Sequence, residues 1–131
     1  MEIDNQRYTG FHPYKIDPKF RVSIQSAWRP EAGEPLYLLL ANDLGLPLVR
    51  VLDKASYDFK VKTINDSGKT PLEKGKLLVP KDLSEQAGIQ PDSEVMLAGR
   101  GMNFEIWDRA IFDQYLAKLT GEDAEDDLGI F

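Results

Sequence analysis

The sequence predicts an α+β fold or a partly open barrel, built from one small module written twice. Three observations carry this expectation. First, the chain repeats itself at a constant offset: residues 49–58 lie over residues 104–113, with Asp53/Asp108, Ala55/Ala110 and Asp58/Asp113 identical. In the same register Arg21-Val22-Ser23-Ile24 lies over Lys76-Leu77-Leu78-Val79, and Ala32-Gly33 over Ala87-Gly88. Internal similarity of this kind is read before any local pattern, and two copies are too few for a solenoid. A pseudo-two-fold arrangement with equivalent loops presented twice is the natural reading. Second, the apolar runs are short and bounded by turn residues, as in strands. Third, the helical patterns are few and short, which argues against an alternating parallel α/β sheet.

The elements follow in order. Arg21 to Gln25 alternates as a strand, with Val22 and Ile24 on one face. Ser26 to Ala32 reads as a brief helical turn closed by Gly33. Leu36 to Leu40 is an apolar strand, Asn42-Asp43-Leu44-Gly45 a turn, and Leu48 to Leu52 a second strand. Asp53 is suited to cap a helix beginning at Lys54, because its carboxylate can accept from the first free N–H groups. Asn65 to Pro71 is a loop that joins the copies. Lys76 to Val79 is a strand stopped by Pro80, and Lys81 to Ala87 a helix whose closing left-handed residue is Gly88. Glu94 to Ala98 and Asn103 to Trp107 are strands around Gly99-Arg100-Gly101. Asp108 caps the clearest helix, Arg109 to about Leu119, whose apolar face is Ile111, Phe112, Tyr115 and Leu119. Residues 1–120 are expected to form one domain of two repeats, about 12–62 and 69–119, followed by an acidic tail over 121–131.

The 131-residue chain has no cysteine, which rules out disulfides, a thiol nucleophile and thiolate metal sites. The N-terminal residues are polar and acidic, unlike a secretory leader, and no apolar run approaches a membrane span. The charge is divided: residues 11–81 carry twelve Lys/Arg against eight Asp/Glu, whereas residues 82–131 carry three against twelve. A basic first half beside an acidic second half can orient the molecule toward a polyanion.

Catalytic chemistry finds little support. His12 is the single histidine, without a recognisable nucleophile or orienting partner, and reads as an exposed loop residue beside Pro13. Gly68-Lys69-Thr70 lacks the earlier glycine and the leading strand of a phosphate-binding loop, so it reads as a turn. The expectation is a protein that is not an enzyme, with no cofactor, no metal and no small-molecule substrate. What remains is a pair of basic loops. Lys15, Lys19, Arg21 and Arg29 surround Asp17 in the first copy, and Lys69, Lys74, Lys76 and Lys81 surround Glu73 in the second. Arg21 and Lys76 stand at equivalent positions, where a loop enters a strand. Such cations neutralise phosphates, and an arginine can also bond a guanine edge through two donors.

At these residues the chain resembles a known family. Asp17-Pro18-Lys19-Phe20-Arg21-Val22-Ser23-Ile24 is similar to the D-x-K-G-R-x-x-x-P opening of the MraZ family of tandem SpoVT/AbrB-like modules. Gly75-Lys76-Leu77-Leu78-Val79-Pro80 is similar to the second motif, G-R-x-x-I-P. The resemblance continues through Leu83, Ala87-Gly88-Ile89, Val95 to Gly99 and Phe104 to Asp108, and covers roughly residues 12–119. It implies AbrB-like swapped-hairpin modules that form a double-split β-barrel with short peripheral helices. It also implies a cytoplasmic, nucleoid-associated transcriptional regulator that binds double-stranded promoter repeats as a homo-oligomeric ring. The DNA-binding residues so implied are Lys15, Asp17, Lys19, Arg21, Lys74, Gly75 and Lys76. Surplus apolar residues (Leu38, Leu40, Ile111 and Tyr115) are candidates for subunit contacts. Four positions depart from the motifs: Phe20 replaces glycine, Gln25 proline, Leu72 an acid and Lys76 arginine. A phenylalanine resists the backbone shape a glycine supplies, which points to a remodelled first loop. The departures favour phosphate contact over base recognition at Lys76. They also leave a second reading: an assembly module that kept the fold and lost sequence-specific DNA binding.

Overall fold

The computed structural model describes residues 8–30, 34–53, 69–72 and 75–121. Eight strands fall among them: β1 (Phe11–Lys15), β2 (Arg21–Ser23), β3 (Pro35–Asp43), β4 (Leu46–Leu52), β5 (Lys69–Pro71), β6 (Lys76–Leu78), β7 (Glu94–Gly99) and β8 (Phe104–Asp108). Two α-helices, α1 (Lys81–Gln86) and α2 (Arg109–Thr120), and a 3-10 turn at Ser26–Trp28 complete the set. All strand pairs are antiparallel. The fold is α+β, as expected. The strands do not close into a barrel: they form an open six-stranded sheet in the order β1-β7-β8-β4-β3-β5 and a separate two-stranded ribbon, β2-β6.

That order is a palindrome under the sequence repeat. The opening strand of each copy pairs with the hairpin of the other, β1 with β7 and β5 with β3. At the centres of both sheets equivalent residues face one another, Arg50 opposite Glu105 and Val22 opposite Leu77. In each of these pairs the two residues are counterparts in the aligned copies. The hydrogen bonds obey the same relation. The Val79 amide donates to the Phe20 carbonyl at 2.9 Å, and the Ile24 amide to the Gly75 carbonyl at 3.0 Å.

Two hydrophobic layers hold the sheet. On one face Val22, Ile24, Leu77 and Val79 of the ribbon strands and their exits pack with Trp28, Leu38, Val49, Val51, Leu97, Phe104 and Ile106. On the other, α2 lays Phe112 and Tyr115 over Leu48, Met96, Ala98 and Trp107. The central strands are covered on both sides, so they read as apolar runs rather than clean alternation. Leu38 and Tyr115, candidates for subunit contacts, are 1% and 4% exposed core residues, and Ile111 packs beside the second layer. Leu40 alone of the four is exposed.

Asp108 caps α2 as expected, accepting from the Ile111 amide at 3.0 Å, and Gly121 closes the helix at φ 86°. The buried stripe runs through Ile111, Phe112, Tyr115 and Leu116, whereas Leu119 is exposed. The helix outruns the apolar patch it covers, so its last turn packs on none of that patch among the described residues. Leu44 and Gly45, at φ 53° and 81°, make a two-residue β3–β4 turn whose backbone suits the twist of the hairpin. The helix expected from Lys54, and the end of the helical turn at Ala32-Gly33, lie outside the described residues. Asp53 itself accepts from the Tyr8 hydroxyl at 3.0 Å. The joint expected as loop over Asn65 to Pro71 is strand from Lys69, because β5 is drawn onto the free edge of β3. His12 likewise belongs to β1, half-buried, with its ring edge-on to Trp28 at 5.2 Å and Nε2 at 3.0 Å from the Thr9 carbonyl.

A buried acid closes the β4–β8 seam. Glu105 is 2% exposed and accepts from Arg50 Nη2 at 3.1 Å, Arg100 Nε at 2.9 Å and the Trp107 indole N–H at 3.0 Å. Arg100 also donates to the Tyr115 hydroxyl at 2.9 Å, so the network ties the seam to α2. Desolvation works against the charge on Arg100, but its bond to Glu105 more than offsets this and raises its pKa. Removing the acid takes this partner from Arg50 and leaves Arg100 with the Tyr115 hydroxyl and Asp43. Because both arginines are about one-third exposed, the loss falls below the full cost of a broken buried pair, at about 1–3 kcal/mol. Glu105→Ala should lower the urea midpoint accordingly, and Arg109→Ala, which removes the exposed pairs to Asp113 and Glu94, should change stability by less than about 0.5 kcal/mol.

Candidate nucleic-acid interface

The first basic loop is a turn closed by its own acid. The Asp17 carboxylate accepts from the Lys19 and Arg21 amides, both at 2.8 Å, and its second oxygen accepts from Arg21 Nε at 2.8 Å. An aspartate readily satisfies backbone donors a few residues ahead of it. Its neighbours close the loop further, with the Asp17 amide donating to the Arg21 carbonyl at 2.9 Å and the Phe20 amide to the Asp17 carbonyl at 3.0 Å. Arg21 is thereby held through Nε alone, and both Nη groups are left without a partner among the described residues. Fixing the guanidinium in advance lowers the entropy lost when it binds.

Phe20 adopts φ 63°, and Gly75, at the equivalent position of the second copy, φ 78°. The first loop is therefore not remodelled by the phenylalanine. It keeps the left-handed backbone, and the ring packs against the core, as Tyr14 and Leu72 do, so ring burial offsets the strain. Gln25 behaves alike: at φ −60° and ψ 148° it matches Pro80, at −51° and 141°, and each precedes a helical turn. Among the described residues the second loop shows no counterpart of the Asp17 clamp, because Leu72 stands at that position and packs on the core. Here Arg29 approaches instead: a Cβ added at Gly75 would lie 2.8 Å from its guanidinium carbon. Arg29 Nε donates to the Ile24 carbonyl at 2.6 Å.

The ribbon brings the two loops together. Val22 and Leu77 point into the core, so Arg21, Ser23, Lys76 and Leu78 share the outward face, with Arg21 opposite Leu78 and Ser23 opposite Lys76. Of the expected site residues, Asp17, Lys19, Arg21, Gly75 and Lys76 thus gather around the ribbon. Lys19 and Lys76 are exposed with no ion pair among the described residues. Lys15 lies at the end of β1 in an exposed pair with Asp92 at 3.3 Å, and Lys74 lies outside the described residues. Ser23, Leu78 and the Arg29 support were not among the expected site residues. Alternation in the two short strands was the signal for the first two, and the approach of Arg29, a cation of the first basic loop, to Gly75 of the second copy became legible only through the fold.

Desolvation raises the Asp17 pKa, but the bonds from Arg21 and Lys19 outweigh it and leave the carboxyl below its ordinary 3.8. A depressed folded value means that the clamp's stabilisation is complete above the unfolded pKa and lost as pH falls through the folded one. Asp17→Ala should cost about 1.5–3 kcal/mol, the range for hydrogen bonds to a charged group. In urea unfolding the gap between wild type and variant should stay constant from neutral pH down to about pH 5 and narrow below about pH 4.

A family model described as "MraZ protein, putative antitoxin-like" matches residues 73–128. A protein of Mycoplasmopsis pulmonis named "Transcriptional regulator MraZ" is 29% identical, with 84% of either chain covered. Proteins of the same name from Kocuria rhizophila and Micrococcus luteus are 27% and 23% identical, covering 83% and 92% of this chain and 86% and 94% of their own. Over most of its length the chain is similar to proteins named for the MraZ family, and over residues 73–128 to that family's model.

Proposed function

We propose that this protein is a DNA-binding transcriptional regulator that meets double-stranded DNA through the β2–β6 ribbon and its two basic loops. The observation that carries this reading is the outward face of the ribbon, where Arg21 and Lys76, counterparts in the two copies, lie on one surface across a single strand pair. A two-stranded ribbon has the width of the major groove. Lys19 and Lys76 supply phosphate contacts whose strength falls steeply with salt, with Lys15, Lys74 and Gly75 as further DNA-binding residues. Arg21, clamped by Asp17, supplies the planar fork that reads a guanine edge. Its relatives' name, transcriptional regulator, supports the same assignment. In this reading residues 1–120 form one domain of two AbrB-like swapped-hairpin modules, about 12–62 and 69–119, related by the palindromic strand order. The chain works in the cytoplasm on the nucleoid, without cofactor or catalysis, and its tail over 121–131 is an acidic appendage. No helix among the described residues is long and apolar enough to cross a membrane.

The reading includes a homo-oligomeric ring with every ribbon on one face, so that weak contacts to repeated sites gain avidity. Light scattering at micromolar concentration should give a mass several times 14.8 kDa, and a monomer would remove the ring. For DNA, electrophoretic shifts with the duplex upstream of the protein's own gene and a scrambled duplex give the test. Arg21→Ala should lose about 1–3 kcal/mol on the specific duplex and less on the scrambled one. Lys76→Ala should weaken both alike and reduce the salt slope by about 1. If neither variant changes binding at low salt, the fold serves as an assembly module instead.

A further inference from the structure

The outward face of the ribbon is chemically lopsided. Under the sequence repeat Ser23 corresponds to Leu78 and Arg21 to Lys76, so the two halves present different pairs of side chains. One end carries Arg21 facing Leu78, the other Ser23 facing Lys76. Leu78 is 48% exposed, a large apolar side chain among cations. Its position alternates outward from the buried Leu77, so core packing does not account for it.

We propose that Leu78 is a specificity-determining residue that, with Arg21, reads a thymine next to a guanine; the inference rests on the DNA reading above. The thymine methyl is the apolar group that base edges offer in the major groove, and an aliphatic side chain gains by covering it. Directly opposed residues of an antiparallel pair have Cβ atoms about 4.5–5.5 Å apart, so their tips can address neighbouring bases, which lie about 3.4 Å apart along a strand. Asp17 occupies Arg21 Nε and leaves the Nη1/Nη2 fork for the guanine O6 and N7. At the far end Lys76 is a point charge and Ser23 a hydroxyl that bonds donors and acceptors alike. Base selection is therefore concentrated at the Arg21–Leu78 end, and the preferred element is asymmetric despite the near two-fold ribbon.

The experiment uses the full chain and the duplex upstream of its own gene, prepared with thymine or with deoxyuridine, which lacks only the methyl. Wild type should bind the thymine duplex more tightly by about 4-fold for each methyl covered. Leu78→Ser, the residue of the equivalent position, should bind the two duplexes equally, and Leu78→Met should restore the preference. Arg21→Ala should weaken both and keep their ratio. Equal binding of both duplexes by wild type, with salt dependence and Arg21 sensitivity intact, overturns the inference and leaves the DNA reading standing. So does a Leu78→Ser variant that keeps the wild-type ratio, or one that changes the mass in light scattering instead. Binding to neither duplex at low salt overturns both. Circular dichroism checks that each variant is folded.

Discussion

The contact between Arg50 and Glu105 is the constraint around which the rest of the molecule is arranged. The two residues sit at equivalent positions of the repeat and face one another across β4 and β8. In a symmetric pair of identical modules, one residue type would meet itself there, and like charges directly opposed destabilise a sheet. Here the copies carry opposite charges, and Arg100 and Trp107 satisfy the remaining capacity of the buried acid. A buried ion pair adds little net stability, yet breaking one is costly. The arrangement therefore holds the register of the seam more than it adds to stability. Register at β4–β8 fixes where each hairpin lies, and so which strand the other copy's β1 or β5 can join.

The interface shows a related economy. Where the two copies carry different residues at equivalent loop positions, they keep the same backbone. Phe20 takes the left-handed conformation of Gly75, and Gln25 the φ of Pro80. Strain at a non-glycine positive φ persists only where surroundings over-determine it. Phe20 is held by its ring on the core and by its carbonyl accepting from the Val79 amide. The two loops share a shape while their chemistry has diverged: one arginine clamped by an acid, and, in the second, Arg29 against Gly75 beside a lysine with no ion pair among the described residues.

Electrostatics follow from placement more than from counts. Several acids of the negative second half have local duties: Glu105 in the seam, Asp108 on the helix amide, Asp92 with Lys15, and Glu94 and Asp113 beside Arg109. Lys19 and Lys76 have no such partners among the described residues, so their field is left to reach a polyanion. A net charge of −6 is thus compatible with a cationic ribbon.

The sequence by itself determined the repeat, the α+β class, most strand and helix positions and the cap at Asp108. It also pointed to the family and to Asp17, Arg21 and Lys76. These are local or offset signals: alternation, helical spacing, cap chemistry, and self-similarity that survives in one register. Only the tertiary structure decided that β1 and β5 are strands, because their pairing energy comes from partners distant in the chain. It also decided that Leu38 and Tyr115 are core while Leu119 is bare, since burial depends on what a face meets. The rescue of Phe20 by its packing, and the pairing of Arg21 with Leu78, likewise required segments from the two copies to be brought side by side. Strand pairing is a relation between distant residues, and neither strand carries its partner's address.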